Sequence, residues 1–321
     1  IETGVPVDYN SAEEKTKLLS DYYKKLGSKV SGDTIRVDIG SLLVDLKAKL
    51  AQSSRQIRNR EWINTKSGNS YFNGHYDNTG KAMHGDFEEG PRMDLTSQVM
   101  PVMFNVADDN QIDKLYKSSQ KILGDKHSGG LRLCTPYPEI DMNIGRITGF
   151  VYGFKEHGSK WMQQNIMLAY GLYQQGFPSK AFEVLNDAYL LSTDSARSKI
   201  FPGLPSYFGP GDRGAYAYLT GSSSWLLITY LTMVFGIRGE EGNLAIQPAL
   251  MKEQFDEAGS ASANFQFAGK KVRLVYKNPG LLDVDEYKIA KLSVNGQHHD
   301  PGQISRTKVI IGRSEIEMMP A

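Results

Sequence analysis

The 321-residue sequence has little cysteine, no excess charge of either sign and no long apolar run. Its single cysteine, Cys134, excludes an intramolecular disulfide and suits a reducing compartment. No segment approaches the roughly 20 apolar residues that cross a bilayer, and residues 1–10 lack the features of a signal peptide. Lys and Arg total 37 against 36 for Asp and Glu, so no basic field attracts nucleic acid. We predict a cytoplasmic protein that binds neither membrane nor nucleic acid.

Common catalytic and cofactor motifs are also missing. The sequence has no nucleophile elbow and no phosphate loop of the NTPase type. The 6 histidines do not take metal-ligand spacing on any single predicted helix. Cys134 has no recognisable partner and is most simply a small buried hydrophobe. We therefore expect neither a metal ion nor an organic cofactor.

Helical periodicity dominates the chain as far as Phe235. Residues 11–14 have the capping-box form Ser-Ala-Glu-Glu, and apolar spacing after them predicts a helix that ends near Leu26. Leucines at similar spacing predict a second helix over 39–57. Further helical patterns cover 95–106, 112–123, 163–175, 180–190 and 223–235. Paired helices joined by functional loops are typical of an (α/α)6 helical barrel, although a generic helical bundle predicts the same helix count.

Residues 62–92 interrupt this pattern with turn-forming composition. They are rich in Gly, Asn, Asp, Tyr and His, which favours a long loop or a short hairpin. Long loops in compact domains are usually functional, and polar and aromatic side chains suit a sugar site. A surface excursion explains the same composition, so both interpretations stay open.

The periodicity changes to a β type after Gly239. Short β-type runs cover 243–246, 263–267, 271–276, 291–294 and 307–311. Asn295 and Gly296 predict a hairpin turn, because both tolerate the positive φ angles of a type I′ turn. We predict a mainly α catalytic domain over 1–239, and a small antiparallel β-sandwich domain over 240–321.

A glycine-rich segment, 145–158, carries charged groups on turns before a helix. Arg146, Lys155, Glu156 and His157 lie in it, and such groups can hold an anion or hydroxyls together with free backbone N–H groups. A solvated loop whose charges pair with one another is the alternative interpretation.

Two later segments, 206–214 and 218–225, are also glycine-rich. The first contains Tyr207, whose ring can stack on a sugar face or pin the loop to the core. The second opens a helix with hydroxyls and a glycine, which favours phosphate binding, although capping needs only one hydroxyl. Its residues of interest are Thr220, Gly221 and Ser222.

Taken in chain order, these segments resemble the C-terminal portion of glycoside hydrolase family 94, the inverting phosphorylases of cellobiose, chitobiose and related β-glucans. The similarity runs through Met93-Asp94-Leu95-Thr96-Ser97-Gln98, Gly145-Arg146-Ile147-Thr148-Gly149-Phe150, Lys155-Glu156-His157-Gly158 and Leu219-Thr220-Gly221-Ser222-Ser223-Ser224-Trp225. Phe235-Gly236-Ile237-Arg238 and Leu244-Ala245-Ile246-Gln247-Pro248 look like that family's exit from the barrel into a terminal β domain. Order and spacing carry the specificity, because each short motif alone is weak.

The resemblance implies phosphorolysis with inversion of a β-linked gluco-oligosaccharide. Phosphate, as co-substrate, attacks the anomeric carbon while a single carboxylic acid protonates the leaving oxygen. The resemblance places Thr220 and Gly221 on the phosphate with Ser222 adjacent. It places Lys155 and Glu156 in the sugar-binding segment. The remaining candidates near sugar or phosphate are Arg146, His157, Tyr207 and Gln163.

The chain departs from the family at two points. Gln163 stands where many members have a phosphate-binding histidine, and glutamine carries no charge, so an inverting glycoside hydrolase is an alternative. The family's general acid lies in an Asp-Trp-Asn-Asp type segment that this chain lacks, so we expect the acid upstream of Ile1. A second polypeptide piece would then complete the barrel, and a homodimer is a further candidate assembly. A catalytically silent carbohydrate-binding fragment is the last alternative.

Overall fold

The computed structural model describes residues 11–26, 36–201, 203–218, 221–299 and 308–318. Internal packing divides the chain into an N-terminal unit, Ile1–Gln56, and a C-terminal unit, Ile57–Ala321.

The described residues of the N-terminal unit form helix α1, Ala12–Leu26, and most of helix α2, Ile39–Arg60. Ser11 begins α1 as predicted, since its Oγ accepts a hydrogen bond of 3.2 Å from the Glu14 N–H. Asp38 begins α2 in the same way, because its carboxylate accepts from a backbone N–H one turn later at 2.7 Å. Both predicted helices are confirmed.

Helix is also the main element of the C-terminal unit. Its described helices are α3 (Thr96–Met103), α4 (Asp109–Ile122), α5 (Met162–Gln174), α6 (Pro178–Thr193), α7 (Ser195–Ser198), α8 (Gly221–Thr229) and α9 (Arg313–Glu317). A π-helical turn, Tyr230–Val234, extends α8. The helices predicted from periodicity are therefore confirmed, with ends that shift by only a few residues.

Helix α5 is the centre of the C-terminal unit. It packs against α3, α6 and α8, and most of its side chains are buried. Gly171 allows α3 to approach closely, since a Cβ there would lie 3.0 Å from the Met103 side chain. The fully buried apolar side chains of the core that contains α5 include Phe72, Met93, Leu95, Ile166 and Phe208. Each contributes about 1.5–3 kcal/mol by burial, so the position of α5 is fixed by a large core.

Short antiparallel sheets fill the segments between these helices. They are β1 (Trp62–Asn64) with β2 (Ser70–Phe72), β3 (Gly85–Phe87) with β4 (Gly90–Arg92), and β5 (Lys160–Trp161), β6 (Tyr207–Phe208) and β7 (Gly214–Ala215) in that order. The segment 62–92 therefore consists of paired strands and turns.

Strands replace helices after α8. One sheet has three strands, in the order β14 (Val309–Ile311), β9 (Asn243–Ile246) and β8 (Ile237–Glu240). Two further sheets are hairpins, one of β10 (Ser260–Phe267) with β11 (Lys270–Lys277) and one of β12 (Leu292–Val294) with β13 (Gln297–His299). Asn295 and Gly296 have φ angles of 50° and 81°, as the predicted turn requires. A second apolar cluster packs here, formed by Leu244, Ile246, Val309, Ile311 and Ile316.

A mainly helical chain with a small antiparallel β region is thus confirmed. The domain boundary at 239/240 stays a prediction, and strand β8 crosses that position. Across the stretches that the structure describes, no helix combines the length and apolar character needed to traverse a bilayer.

Candidate functional site

A three-stranded sheet fixes the start of helix α5. Trp161 of β5 pairs with Tyr207 of β6, and their rings stack with centroids 5.2 Å apart. The Met162 N–H, at the first residue of α5, donates to the Ser206 carbonyl at 2.9 Å. The first turn of α5, which carries Gln163, is therefore held beside strand β6.

Two residues that were predicted to bind phosphate lie in contact. Gly221 begins α8, and a Cβ built on it would lie 2.8 Å from Gln163 Oε1. The Gln163 carboxamide thus lies against the Gly221 α-carbon, and a larger residue at 221 would displace it. The N–H groups of a helix's first turn have no partner within the helix, so the start of α8 can offer donors to an anion. We call Gln163, Gly221 and Ser222 the α8 corner.

The third residue of the α8 corner is turned toward the protein. Ser222 is 1% exposed, and its Oγ lies 3.5 Å from the Ser206 carbonyl, a long hydrogen bond. Gln163 can donate and accept hydrogen bonds without carrying charge. Thr220, the remaining predicted phosphate residue, lies outside the described residues. The α8 corner therefore offers neutral donors to an anion or a hydroxyl group.

The charged loop, residues 146–157, carries most of the predicted sugar-binding residues. Arg146 pairs with Glu156 Oε1, and 74% of the Arg146 side chain is exposed. The second carboxylate oxygen, Oε2, is shielded from solvent and has no hydrogen-bond partner within the described ranges. Because a buried charged oxygen is costly without a partner, Glu156 Oε2 is well suited to accept a hydrogen bond from a ligand.

Tyr207 connects the β5–β6–β7 sheet to the charged loop. Burial raises the pKa of Tyr207, and its phenol also interacts with the Lys155 backbone and the Glu156 charge. Lys155 itself has a positive φ of 47°, which turns the chain sharply before Glu156. The Lys155 ammonium lies 4.9 Å from the centroid of the Phe150 ring, so a cation–π contact holds it on the loop.

His157 has a structural environment. Its Nδ1 lies 2.6 Å from the Phe150 carbonyl, and its Nε2 accepts a hydrogen bond of 3.0 Å from the Tyr137 N–H. These partners assign a neutral ring that is protonated on Nδ1. With 4% exposure and both nitrogens used by backbone groups, His157 orients the charged loop and leaves no ring nitrogen for a substrate.

A buried lysine joins the neighbouring loops. Lys160 is 1% exposed, and its Nζ lies 2.5 Å from Asp212 Oδ1 and 3.2 Å from Asp125 Oδ2. It also donates to Ser128 Oγ at 2.5 Å and to the Gly129 carbonyl at 3.1 Å. Burial opposes ionisation of Asp212, but Lys160, Ser128 and Arg197 together outweigh it and lower the pKa of that carboxyl. The sequence did not predict this group, because its members lie far apart in the chain and only the folded loops bring them together.

The family model for the glycosyl hydrolase 94 superfamily, catalytic domain, matches residues 45–236. The chain belongs to this family. It is 24% identical to a solabiose phosphorylase of Paenibacillus borealis over 186 residues, which cover 56% of the chain and 24% of that relative. It is also 24% identical to a cellobionic acid phosphorylase of Neurospora crassa over 172 residues, 50% of the chain and 22% of that relative. The matched part of the chain spans about a quarter of the length of these curated relatives.

The glycosyl hydrolase 94 match contains both the α8 corner and the charged loop. It ends at Gly236, one residue before strand β8. The resemblance that was inferred from the order of the motifs is therefore confirmed.

Proposed function

We propose that the chain is the C-terminal part of an (α/α)6 barrel that phosphorolyses β-linked gluco-oligosaccharides with inversion, in the cytoplasm. The contact between Gln163 and Gly221 at the start of α8 is the observation that supports it most. Family membership and the two phosphorylase relatives support the reaction class. Because the chain covers only part of those relatives, the activity belongs to the proposal.

Phosphate is the nucleophile, and the α8 corner binds it. The Gly221 and Ser222 N–H groups lie in the first turn of α8, where the helix dipole favours an anion. The Gln163 amide adds a neutral donor, and Thr220 joins them by resemblance. One phosphate oxygen forms a bond to the anomeric carbon as the glycosidic bond breaks, and a general acid protonates the leaving oxygen. The product is a sugar 1-phosphate of inverted configuration.

The charged loop binds the sugar in this scheme. Glu156 Oε2 accepts a hydrogen bond from a sugar hydroxyl, while Arg146 holds the other carboxylate oxygen in place. The Tyr207 phenol, which is protonated at neutral pH, offers a donor beside Glu156. His157 positions this loop through its backbone contacts. Lys155 lies on the loop surface near the sugar.

The general acid and the missing barrel helices come from polypeptide outside this chain. Apolar side chains such as Leu46 and Leu50 of α2 are 51% and 66% exposed, which supports a covering segment. That segment is either the rest of a longer polypeptide or a separate piece.

The decisive assay measures sugar 1-phosphate release from β-linked gluco-oligosaccharides by the full-length protein, with and without phosphate. In the variant Gly221→Ala, the new methyl displaces the Gln163 carboxamide, so we expect KM for phosphate to rise about tenfold or more. The matched control is Gly239→Ala, where the nearest atom to the added Cβ lies 3.8 Å away. Product release that is independent of phosphate would overturn the phosphorylase proposal.

An inverting hydrolase on the same barrel is the second candidate, because Gln163 is neutral. Water would then be the nucleophile, and turnover would yield free sugar at the same rate without phosphate. The variant Gln163→His separates the two candidates. It should lower KM for phosphate in a phosphorylase, and it should not create phosphate dependence in a hydrolase.

A further inference from the structure

Two imidazoles and a carboxylate meet at the start of helix α3, in a cluster that the proposed reaction does not use. Asp94 Oδ2 lies 3.0 Å from His75 Nδ1 and 2.8 Å from His84 Nε2. The three ligand atoms all lie within 4.8 Å of one another. Ligands of a tetrahedral Zn²⁺ ion, bound at about 2.0–2.1 Å, are roughly 3.3–3.4 Å apart. The two His–Asp distances would therefore lengthen by only a few tenths of an ångström to admit an ion.

Backbone pairing brings the two histidines together. His75 and His84 lie on the two arms of a turn, and the His75 carbonyl accepts from the Met83 N–H at 3.0 Å. A bridge between Tyr76 and Ala82 closes the same turn. Because the pairing depends on a folded turn, the sequence spacing alone gave no metal-site signal.

The carboxylate is already oriented by outer contacts. The Ser97 N–H donates to Asp94 Oδ1 at 2.7 Å, and the Ser97 hydroxyl donates to Asp94 Oδ2 at 2.7 Å. Metal-binding carboxylates are typically supported by such hydrogen bonds, which fix their direction. Ser97 thus gives Asp94 the outer-shell partner that a metal ligand needs.

Burial makes the cluster asymmetric. The side chains of His84 and Asp94 are 1% and 10% exposed, whereas that of His75 is 53% exposed. His84 Nε2 is buried and makes no hydrogen bond of acceptable direction in the described structure, although its distance to Asp94 is short. A buried nitrogen without a well-directed partner, aimed at a carboxylate, is a second observation that suits a cation ligand.

We propose that His75, His84 and Asp94 bind one divalent transition-metal ion of the zinc class, with water on the exposed side of His75. Imidazole nitrogens with a carboxylate suit such ions better than they suit Mg²⁺ or Ca²⁺. Ligation by His84 Nε2 puts the ring proton on Nδ1. Nδ1 then no longer accepts the long 3.3 Å hydrogen bond from the Gly74 N–H, and this bond is lost. The ion would fasten the 75–84 turn, whose Asn78 N–H already donates to the Asn143 carbonyl at 3.0 Å.

Titration calorimetry with Zn²⁺ on the chelator-treated full chain tests the proposal. We expect one ion per chain, and at least tenfold weaker binding in His75→Ala, whose half-exposed side chain can be removed without opening the core. His127→Ala, at an exposed histidine in another loop, is the matched control and should bind as the wild type does. Ser97→Ala should weaken binding about 10–100-fold, as expected for an outer-shell partner.

The same calorimetric measurements on wild type and variants can also refute the proposal. Absence of a stoichiometric site would refute it, as would equal binding by His75→Ala and wild type. Equal losses in His75→Ala and His127→Ala would mean non-specific surface binding, which also refutes it. Circular dichroism of each variant shows whether the fold is retained, and Ser97→Ala provides the second reading if His75→Ala does not fold.

Discussion

Lys160 and Glu156 lie four residues apart in the chain, yet their charges have different environments. Lys160 is buried, and its ammonium reaches Asp125, Asp212, Ser128 and a backbone carbonyl. Glu156 has one oxygen paired with an exposed arginine and a second oxygen with no partner in the described structure.

The difference separates a structural charge from a binding charge. A buried ion is tolerated only when every polar atom has a partner, and such a network then fixes one arrangement of its loops. A shielded oxygen without a partner lowers the stability of the free protein, and a ligand hydroxyl can supply the missing bond. We therefore expect substitutions at Lys160 to act on stability and substitutions at Glu156 to act on turnover.

Replacement of the buried lysine gives the largest expected effect. Lys160→Met leaves two carboxylates without their shared cation, so unfolding should become easier by about 3–5 kcal/mol. Chemical denaturation followed by circular dichroism measures this change. Lys180→Met is the control, because Lys180 forms a partly exposed pair with Asp113 at 3.2 Å and should cost no more than about 1 kcal/mol. Similar losses in both variants would remove the structural role assigned to Lys160.

Replacement of the partly free carboxylate should separate turnover from stability. Glu156→Gln keeps the shape but weakens acceptance of a sugar hydroxyl, so kcat/KM of the full-length protein should fall about 10–150-fold, equivalent to 1.5–3 kcal/mol. The free energy of unfolding should change little. Glu317→Gln, at an exposed pair with Arg313, is the control for loss of a surface charge. Unchanged kinetics in Glu156→Gln would contradict sugar binding by this oxygen.

Local features of the molecule were predictable from sequence. Ser11 caps α1, and Asn295-Gly296 forms the expected turn, because each depends on the chemistry of a few adjacent residues. Helix positions followed from apolar periodicity for the same reason. The family also followed, since it rests on the order of short motifs.

The contacts that define the candidate site were harder to predict from the sequence. Gln163 and Gly221 were both candidates, but only the fold places one against the other. His157 was predicted to contact substrate, whereas both its nitrogens bind backbone groups that no local pattern reveals. The Asp94 cluster and the Lys160 network depend on how loops return to one another, which periodicity does not encode.

Acid should weaken the Lys160 network, which gives a further test of its structural role. Burial opposes ionisation of Asp125 and Asp212. The His127 N–H and Lys160 at Asp125, and Lys160, Ser128 and Arg197 at Asp212, together hold both pKa values below the ordinary value. Groups with lowered folded-state pKa values stabilise the fold above the unfolded pKa of about 3.9, and this stability is lost as pH falls through the folded pKa. Wild type should therefore lose stability from about pH 5 downward, by up to about 1.4 kcal/mol per pH unit for each proton taken up.

Denaturation midpoints at several acidic pH values, in wild type and Lys160→Met, measure this linkage. Without the lysine, Asp125 keeps Arg132 and the His127 N–H, and Asp212 keeps Arg197, but burial is opposed less strongly and both folded-state pKa values should rise toward the ordinary value. The variant should therefore show a shallower acid dependence than wild type. Equal slopes in the two proteins would place the acid-sensitive groups elsewhere.

Removal of the exposed partner of Glu156 should have the smallest effect on stability. Arg146 is 74% exposed, so its ion pair contributes no more than about 1 kcal/mol. Arg146→Ala should leave the free energy of unfolding nearly unchanged while it raises KM for the oligosaccharide, because Glu156 loses the contact that directs its second oxygen. A loss of stability comparable to that of Lys160→Met would show that this pair is also a structural anchor, and the contrast between a saturated network and a binding carboxylate would fail.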